Sequence, residues 1–180
     1  MADTKKLAIA SLFAVIILVI KGPIFPPPTG DLLLAIEAFL LALSFILLGF
    51  GGATFTSAIA GLLINFTEPG FWFFPILLAV LYGFQIDIFS TLFRVRNQEG
   101  VSTMRMAASL MLSSATTGPI AYYSTVTAGL VPSSPVGFYL FLIVFGIVSG
   151  AIGAFVAVKV WNRNLKAWFN PLQPIASQTS

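Results

Sequence analysis

Residues 30–66 read GDLLLAIEAFLLALSFILLGFGGATFTSAIAGLLINF, and the fold turns on them. Two apolar runs flank the pair Gly51-Gly52. The first, Leu32 to Phe50, is nineteen residues long. At about 1.5 Å rise per residue it is long enough to cross a bilayer core of about 30 Å. The second, Ala53 to Phe66, is shorter and rich in small side chains: Ala53, Thr54, Thr56, Ser57, Ala58, Ala60 and Gly61. Lipid gains nothing from small residues, but a neighbouring helix does, because they let two backbones approach closely. The stretch therefore reads as a spanning helix, a tight turn and a short helix packed inside a bundle. Glu37 is the only ionisable group within the first run. A carboxylate in such a helix is costly and is expected to face a cavity or a partner.

Composition agrees. Of 180 residues, 58% are hydrophobic and 8% charged, against roughly a quarter charged in a soluble domain. The chain reads as an all-α integral membrane protein. It has no Cys, hence no disulfide framework, thiolate nucleophile or iron–sulfur ligand. It has no His, which removes the commonest zinc ligand and general base. No phosphate loop, triad or metal spacing is present. The many Ser and Thr hydroxyls lack an activating base, so no enzyme activity, cofactor or metal is expected. The polar N-terminus and the lack of an Ala-x-Ala site argue against a signal peptide.

Outward from the opening stretch, six helices are expected, at about 5–21, 31–50, 53–66, 71–93, 104–126 and 138–161, followed by a polar tail, 162–180. Residues 21–30, KGPIFPPPTG, hold four prolines and form a stiff loop. Thr67-Glu68-Pro69-Gly70 is a turn by composition. Arg94 to Gly100 is the most polar internal segment. Helix 5 is expected to bend at Gly118-Pro119. Trp168 and Phe169 are expected to lay the tail along the membrane surface.

Six spans put Lys5, Lys6, Arg94, Arg96, Arg105, Lys159, Arg163 and Lys166 on one side and Lys21 alone on the other. The positive-inside rule then makes both termini cytoplasmic. No internal repeat supports an inverted-repeat transporter.

Four constellations carry candidate chemistry. Small residues line helix 1 at Ala10 and Ala14, and helix 6 at Gly146, Gly150 and Ala154. This spacing serves close helix packing, either inside the chain or, for helix 1, against another subunit. Glu37 either binds a cationic or hydrogen-bonding ligand in an outward cavity or bonds to a Ser or Thr of a neighbouring helix. Asp87, with Gln85 nearby, is either part of a coupling or proton path or an ion-pair partner of Arg94 or Arg105. Finally, Trp72, Phe73, Phe74, Tyr122, Tyr123 and Tyr139 gather at the outer side with Asn65. They form an interfacial aromatic belt or a stacking pocket for a flat ligand. Of the adjacent Tyr122 and Tyr123, only one can point inward.

The chain resembles the substrate-binding S components of energy-coupling factor (ECF) transporters, which import vitamins in prokaryotes. The likeness covers about residues 5–160. It rests on six helices in under 200 residues, the segment Ala10-Ser11-Leu12-Phe13-Ala14, and the Pro-rich loop 21–30. The runs LLGFGGATFTSAIAGLL and YGFQIDIFSTLF also look like the family's helix 2–3 turn and helix 4. The resemblance implies a multi-pass prokaryotic cell-membrane protein that binds a vitamin or precursor near its outer face. It also implies docking through helix 1, at Ala10 and Ala14, onto a transmembrane coupling subunit driven by two ATPase subunits. Glu37, Asn65, Trp72, Tyr122, Tyr123 and Tyr139 would line the site, and aromatics with a carboxylate suit thiamine or its pyrimidine precursor. The other classes are a structural accessory subunit of a larger membrane complex and a stand-alone carrier or membrane enzyme.

Overall fold

A computed structural model of the chain describes residues 2–21, 34–67, 73–97 and 100–166. These form an all-α bundle of six helices: α1 (Ala2–Lys21), α2 (Leu34–Leu48), α3 (Gly52–Thr67), α4 (Phe74–Leu92), α5 (Thr103–Thr127) and α6 (Val136–Val160). One π-helical turn, Trp161–Leu165, extends α6. The helices fall within a few residues of the sequence expectation. Residues 22–33, 68–72 and 167–180 lie outside the described residues, and with them the Pro-rich loop, Trp72 and the aromatic tail.

The opening stretch folds as a helix, a turn and a helix, with α2 shorter than its apolar run. Gly49 (φ 86°) and Gly51 (φ 87°) adopt left-handed backbone that other residues rarely take, so α2 stops at Leu48 instead of Phe50. The Ser44 and Thr56 hydroxyls share a hydrogen bond of 2.6 Å across the turn. α2 is the axis of the molecule: it packs against every other helix, and its residues Leu40 to Ile46 are all buried. Around it run α1, α3, α4, α5 and α6, each antiparallel to the next in chain order where contacts define the pair. Ser90 meets Ser109 at 2.8 Å and Tyr82 meets Ser114 at 2.8 Å between α4 and α5.

The small-residue ridge of α6 is spent inside the chain. A Cβ on Gly146 or Gly150 would stand 2.6 Å from the Ser114 or Leu110 carbonyl oxygen of α5. One on Gly153 would stand 2.8 Å from Ala38 Cβ of α2. The last contact sets a depth. Gly153 lies seventeen residues into α6, about 25 Å from Val136 along the axis. Ala38 of α2 therefore lies deep in the bundle.

Packing is accordingly one-sided. Buried residues run through Gly52–Gly61 in α3, Tyr82–Ser90 in α4, Met106–Ser114 in α5 and Gly146–Val158 in α6. No residue of 62–67, 74–81, 115–127 or 136–145 is buried. The packed half is the end that carries Arg94, Arg96, Arg105, Lys159, Arg163 and Lys166. At that end the polar link between α4 and α5 is a small antiparallel ladder, β1 (Arg96–Asn97) with β2 (Gly100–Val101), where sequence reading placed no strand. Two helical stretches, Phe74–Leu92 and Val136–Leu165, are long and apolar enough to cross a membrane. α5 runs unbroken through Pro119.

Candidate functional site

Glu37 is 4% exposed and sits in the first turn of α2, at the boundary between the packed and the open half. Lys21, in the last turn of α1, brings its Nζ to 2.6 Å from Glu37 Oε2. The approach is not aligned as a hydrogen bond, so Oε2 keeps unused accepting capacity. The partner expected in place of a ligand was a Ser or Thr; the structure supplies an ammonium. Lys21 was legible as a candidate, because it is the lone basic residue on its side and Glu37 the lone acid of α2. The Lys21 side chain stays one-third exposed while Glu37 is buried, so water screens the attraction and the pair is weak evidence for stability.

Other polar groups of the helices stand in arrangements that sequence reading did not assemble. The Tyr82 phenol is 3% exposed, lies within electrostatic reach of Glu37 and shares a hydrogen bond with Ser114. Gln85 Oε1 accepts from Thr116 Oγ1 at 2.8 Å and from Thr117 Oγ1 at 2.9 Å. Asn65, near the end of α3, has an Oδ1 that is out of contact with solvent and has no hydrogen-bond donor. An orphaned buried acceptor is costly and implies a missing donor.

The aromatic residues divide. Tyr122 and Tyr139 come together, with ring centres 5.2 Å apart at 75°. Phe138 closes on Tyr122 at 4.9 Å. The Tyr122 hydroxyl donates to the Pro132 carbonyl at 3.0 Å, which ties α5 to the loop before α6. Tyr123 is 61% exposed and has no part in the cluster. Tyr122 thus packs against α6, and Tyr123 does not. Trp72 lies outside the described residues.

Ala10 and Ala14 have no exposed surface. They lie on the side of α1 that packs on α2 and α3, so the expected docking face is occupied by the chain itself. Docking through this pair would require α1 to leave the bundle. The side of α1 left open carries Leu7, Leu12, Val15, Ile16 and Val19.

Asp87 is a second correction. Its carboxylate neither pairs with Arg94 nor with Arg105. Oδ1 accepts from the Ala53 N–H at 3.2 Å, and Oδ2 accepts from the Thr54 N–H at 2.8 Å and from the Thr54 hydroxyl. It caps α3 from a different helix, satisfying amides that have no partner within their own helix and meeting the positive end of its dipole.

Among the described residues no three acidic groups converge, so no metal cage forms there. The less packed half carries the Glu37 and Asn65 acceptors, the Lys21 ammonium and the Tyr122–Tyr139 ring pair. No protein-family model, curated protein or solved structure matches the chain.

Proposed function

We infer that the chain is a six-span membrane protein with cytoplasmic termini and that it binds a small molecule for uptake, in the manner of an ECF S component. The observation that carries this reading is the half-packed bundle. Buried residues concentrate toward the basic end, and Glu37, Tyr82 and the orphaned Asn65 Oδ1 lie where that packing gives way, on the side that carries Tyr122 and Tyr139. The membrane part of the reading is supported by an inverted surface. Ser44, Thr56, Ser57, Asp87, Ser90, Ser109, Ser113, Ser114 and Ser149 are buried, while Leu62, Leu77, Phe84, Leu140, Phe141, Val144 and Phe155 are exposed. In water that arrangement is unfavourable; in hydrocarbon it is the expected one. The basic end faces the cytoplasm by charge asymmetry.

On this reading a ligand with N–H donors or a positive charge meets Glu37 and Asn65, and Tyr122 and Tyr139, about 20 Å nearer the outer end along α6, line the way in. Thiamine and its pyrimidine have that chemistry. Energy comes from partner ATPases through a membrane coupling subunit, and the chain hydrolyses nothing itself.

The test is calorimetry on the purified chain with thiamine, its pyrimidine, riboflavin, biotin and cobalamin, together with mass spectrometry of co-purified small molecules. Glu37→Gln is expected to weaken a cationic ligand more than a neutral one. Asn65→Ala is expected to cost roughly 1 kcal/mol of binding, the worth of one hydrogen bond. Unchanged affinity in both variants places the cavity elsewhere. A chain that binds nothing and is recovered only inside a larger assembly favours the accessory-subunit reading.

A further inference from the structure

The outward side of α6 is ordered in a way that ligand uptake does not use. Val148, Ile152, Phe155, Lys159, Arg163 and Lys166 follow one another at intervals of three or four residues, and all six are exposed. That spacing keeps them on one side of the helix. The π-helical turn Trp161–Leu165 carries the row past the end of α6, with Trp161 buried behind it. The row changes character once, between Phe155 and Lys159: apolar before, cationic after.

The change falls at the edge of a bilayer core. Tyr139 to Lys159 is twenty residues, about 30 Å of helix, which is the thickness of that core. With Tyr139 at one boundary, where tyrosines favour the headgroup level, Lys159 stands at the other. Val148 lies eleven residues before Lys159, about 16 Å deeper, close to the depth of one leaflet's hydrocarbon. Lys159 Nζ is 5.8 Å from the centre of the Phe155 ring, which ties the first cation to the last apolar group of the row. Among the described residues none of the three cations meets a carboxylate.

The side chains favour lipid over a second helix as the occupant. The small residues that permit close helix contact, Gly146, Gly150 and Gly153, turn inward onto α5 and α2. The outward row is branched or aromatic, a relief that flexible acyl chains follow and that another backbone cannot approach closely.

We propose that this row binds an anionic phospholipid of the leaflet at the basic end. Its phosphate is held by Lys159 and Arg163, and an acyl chain lies along Val148, Ile152 and Phe155. The attraction is that of a basic juxtamembrane segment for anionic headgroups, strengthened by charge-assisted hydrogen bonds to the phosphate oxygens. The inference rests on the membrane reading of the chain and is independent of the uptake ligand.

The experiment uses the full chain in dodecyl maltoside. Binding is read by native mass spectrometry and by the shift in unfolding temperature with phosphatidylglycerol, phosphatidylcholine or inorganic phosphate. The variants are Lys159→Gln/Arg163→Gln and, as an equal loss of charge at the same end, Lys5→Gln/Lys6→Gln on α1. The parent is expected to prefer phosphatidylglycerol to phosphatidylcholine by about tenfold or more, at about fivefold for each basic group near an anionic surface. The α6 double variant is expected to lose that preference, and the α1 variant to keep it. If the double variant fails to fold, Arg163→Gln alone carries the test, with binding of phosphatidylglycerol about fivefold weaker expected. Binding by the α6 variant that equals the parent's overturns the proposal. So does equal weakening by the α1 variant, which reduces the effect to diffuse attraction, and so does a response to inorganic phosphate as large as that to the lipid. A chain that stays folded and dispersed without detergent refutes the membrane reading itself; one that needs detergent yet binds both lipids alike refutes this proposal alone.

Discussion

Asp87 Oδ2 lies 2.8 Å from the Thr54 amide nitrogen, thirty-three positions away in the chain. One carboxylate on α4 thereby completes the first turn of α3, and the two helices are joined by a cap instead of by apolar contact alone. Gly83, one turn earlier on α4, makes room for the junction: a Cβ there would stand 2.6 Å from the Ala53 carbonyl oxygen.

Removal of this cap is the first prediction. Asp87→Ala is expected to lower stability by about 2 kcal/mol, the upper part of the range for loss of a helix cap. Asp87→Asn keeps one acceptor and is expected to lose less. Thermal unfolding of the detergent-solubilised variants is the measurement. Equal stability of Asp87→Ala and the parent would show that the cap contributes nothing.

A second prediction separates packing from docking on α1. Ala14→Trp must force a large ring into a space with no exposed surface, and overpacking of this kind costs typically about 1–3 kcal/mol and sometimes more. Loss of folded protein is expected for the isolated chain. Leu12→Trp, on a residue 58% exposed, is expected to fold normally. A stable Ala14→Trp that has lost only partner assembly would return this face to docking.

The topology prediction is clean because the chain has no native cysteine. Single cysteines at Gly30 and Ser133 are expected to react with an impermeant maleimide applied outside intact cells. A cysteine at Gln98 is expected to react only after permeabilisation. Outside labelling at 98 is incompatible with six spans.

The tyrosine pair gives the fourth. Tyr122→Phe removes the hydroxyl that donates to the Pro132 carbonyl and is expected to cost about 1 kcal/mol of stability. Tyr123→Phe, on the exposed neighbour, is expected to stay within about 0.5 kcal/mol of the parent. Unfolding temperatures that rank the two in the opposite order would refute the division of roles.

The helices were legible because their signals are local. Apolar runs of suitable length, Pro-rich loops and the glycine turn locate each element within a few residues. The early end of α2 follows from Gly49 as well as from the pair Gly51-Gly52 that sequence reading stressed, and glycine content alone does not say which residue takes the left-handed turn. The depth of α2 was not legible, because it depends on Gly153 accepting Ala38, a contact between segments more than a hundred residues apart. Asp87 misled for a related reason. Arginines nearby in sequence made an ion pair the simplest partner, whereas the amides that bind it become available only once α3 has formed and packed. The Lys21–Glu37 approach stood within reach, because Lys21 is the lone base on that side and Glu37 the lone acid within the apolar run of α2. The ladder at Arg96–Val101 was not, since two-residue strands leave no periodic pattern.

The one-sided core has a mechanical consequence. Six rods interlocked along half their length behave as beams clamped at one end. Amides near the clamp, such as those of Leu41, Ile86 and Leu110, will exchange with solvent slowest, and those of 74–81 and 136–145 soonest, because local opening is easiest where few side chains interdigitate. A guest that enters at the less packed end strains the ties that remain there, Tyr122 with Tyr139 and Gly61 with Pro75. The resulting torque is delivered to the clamp, where Asp87, Thr54 and the glycine turn meet.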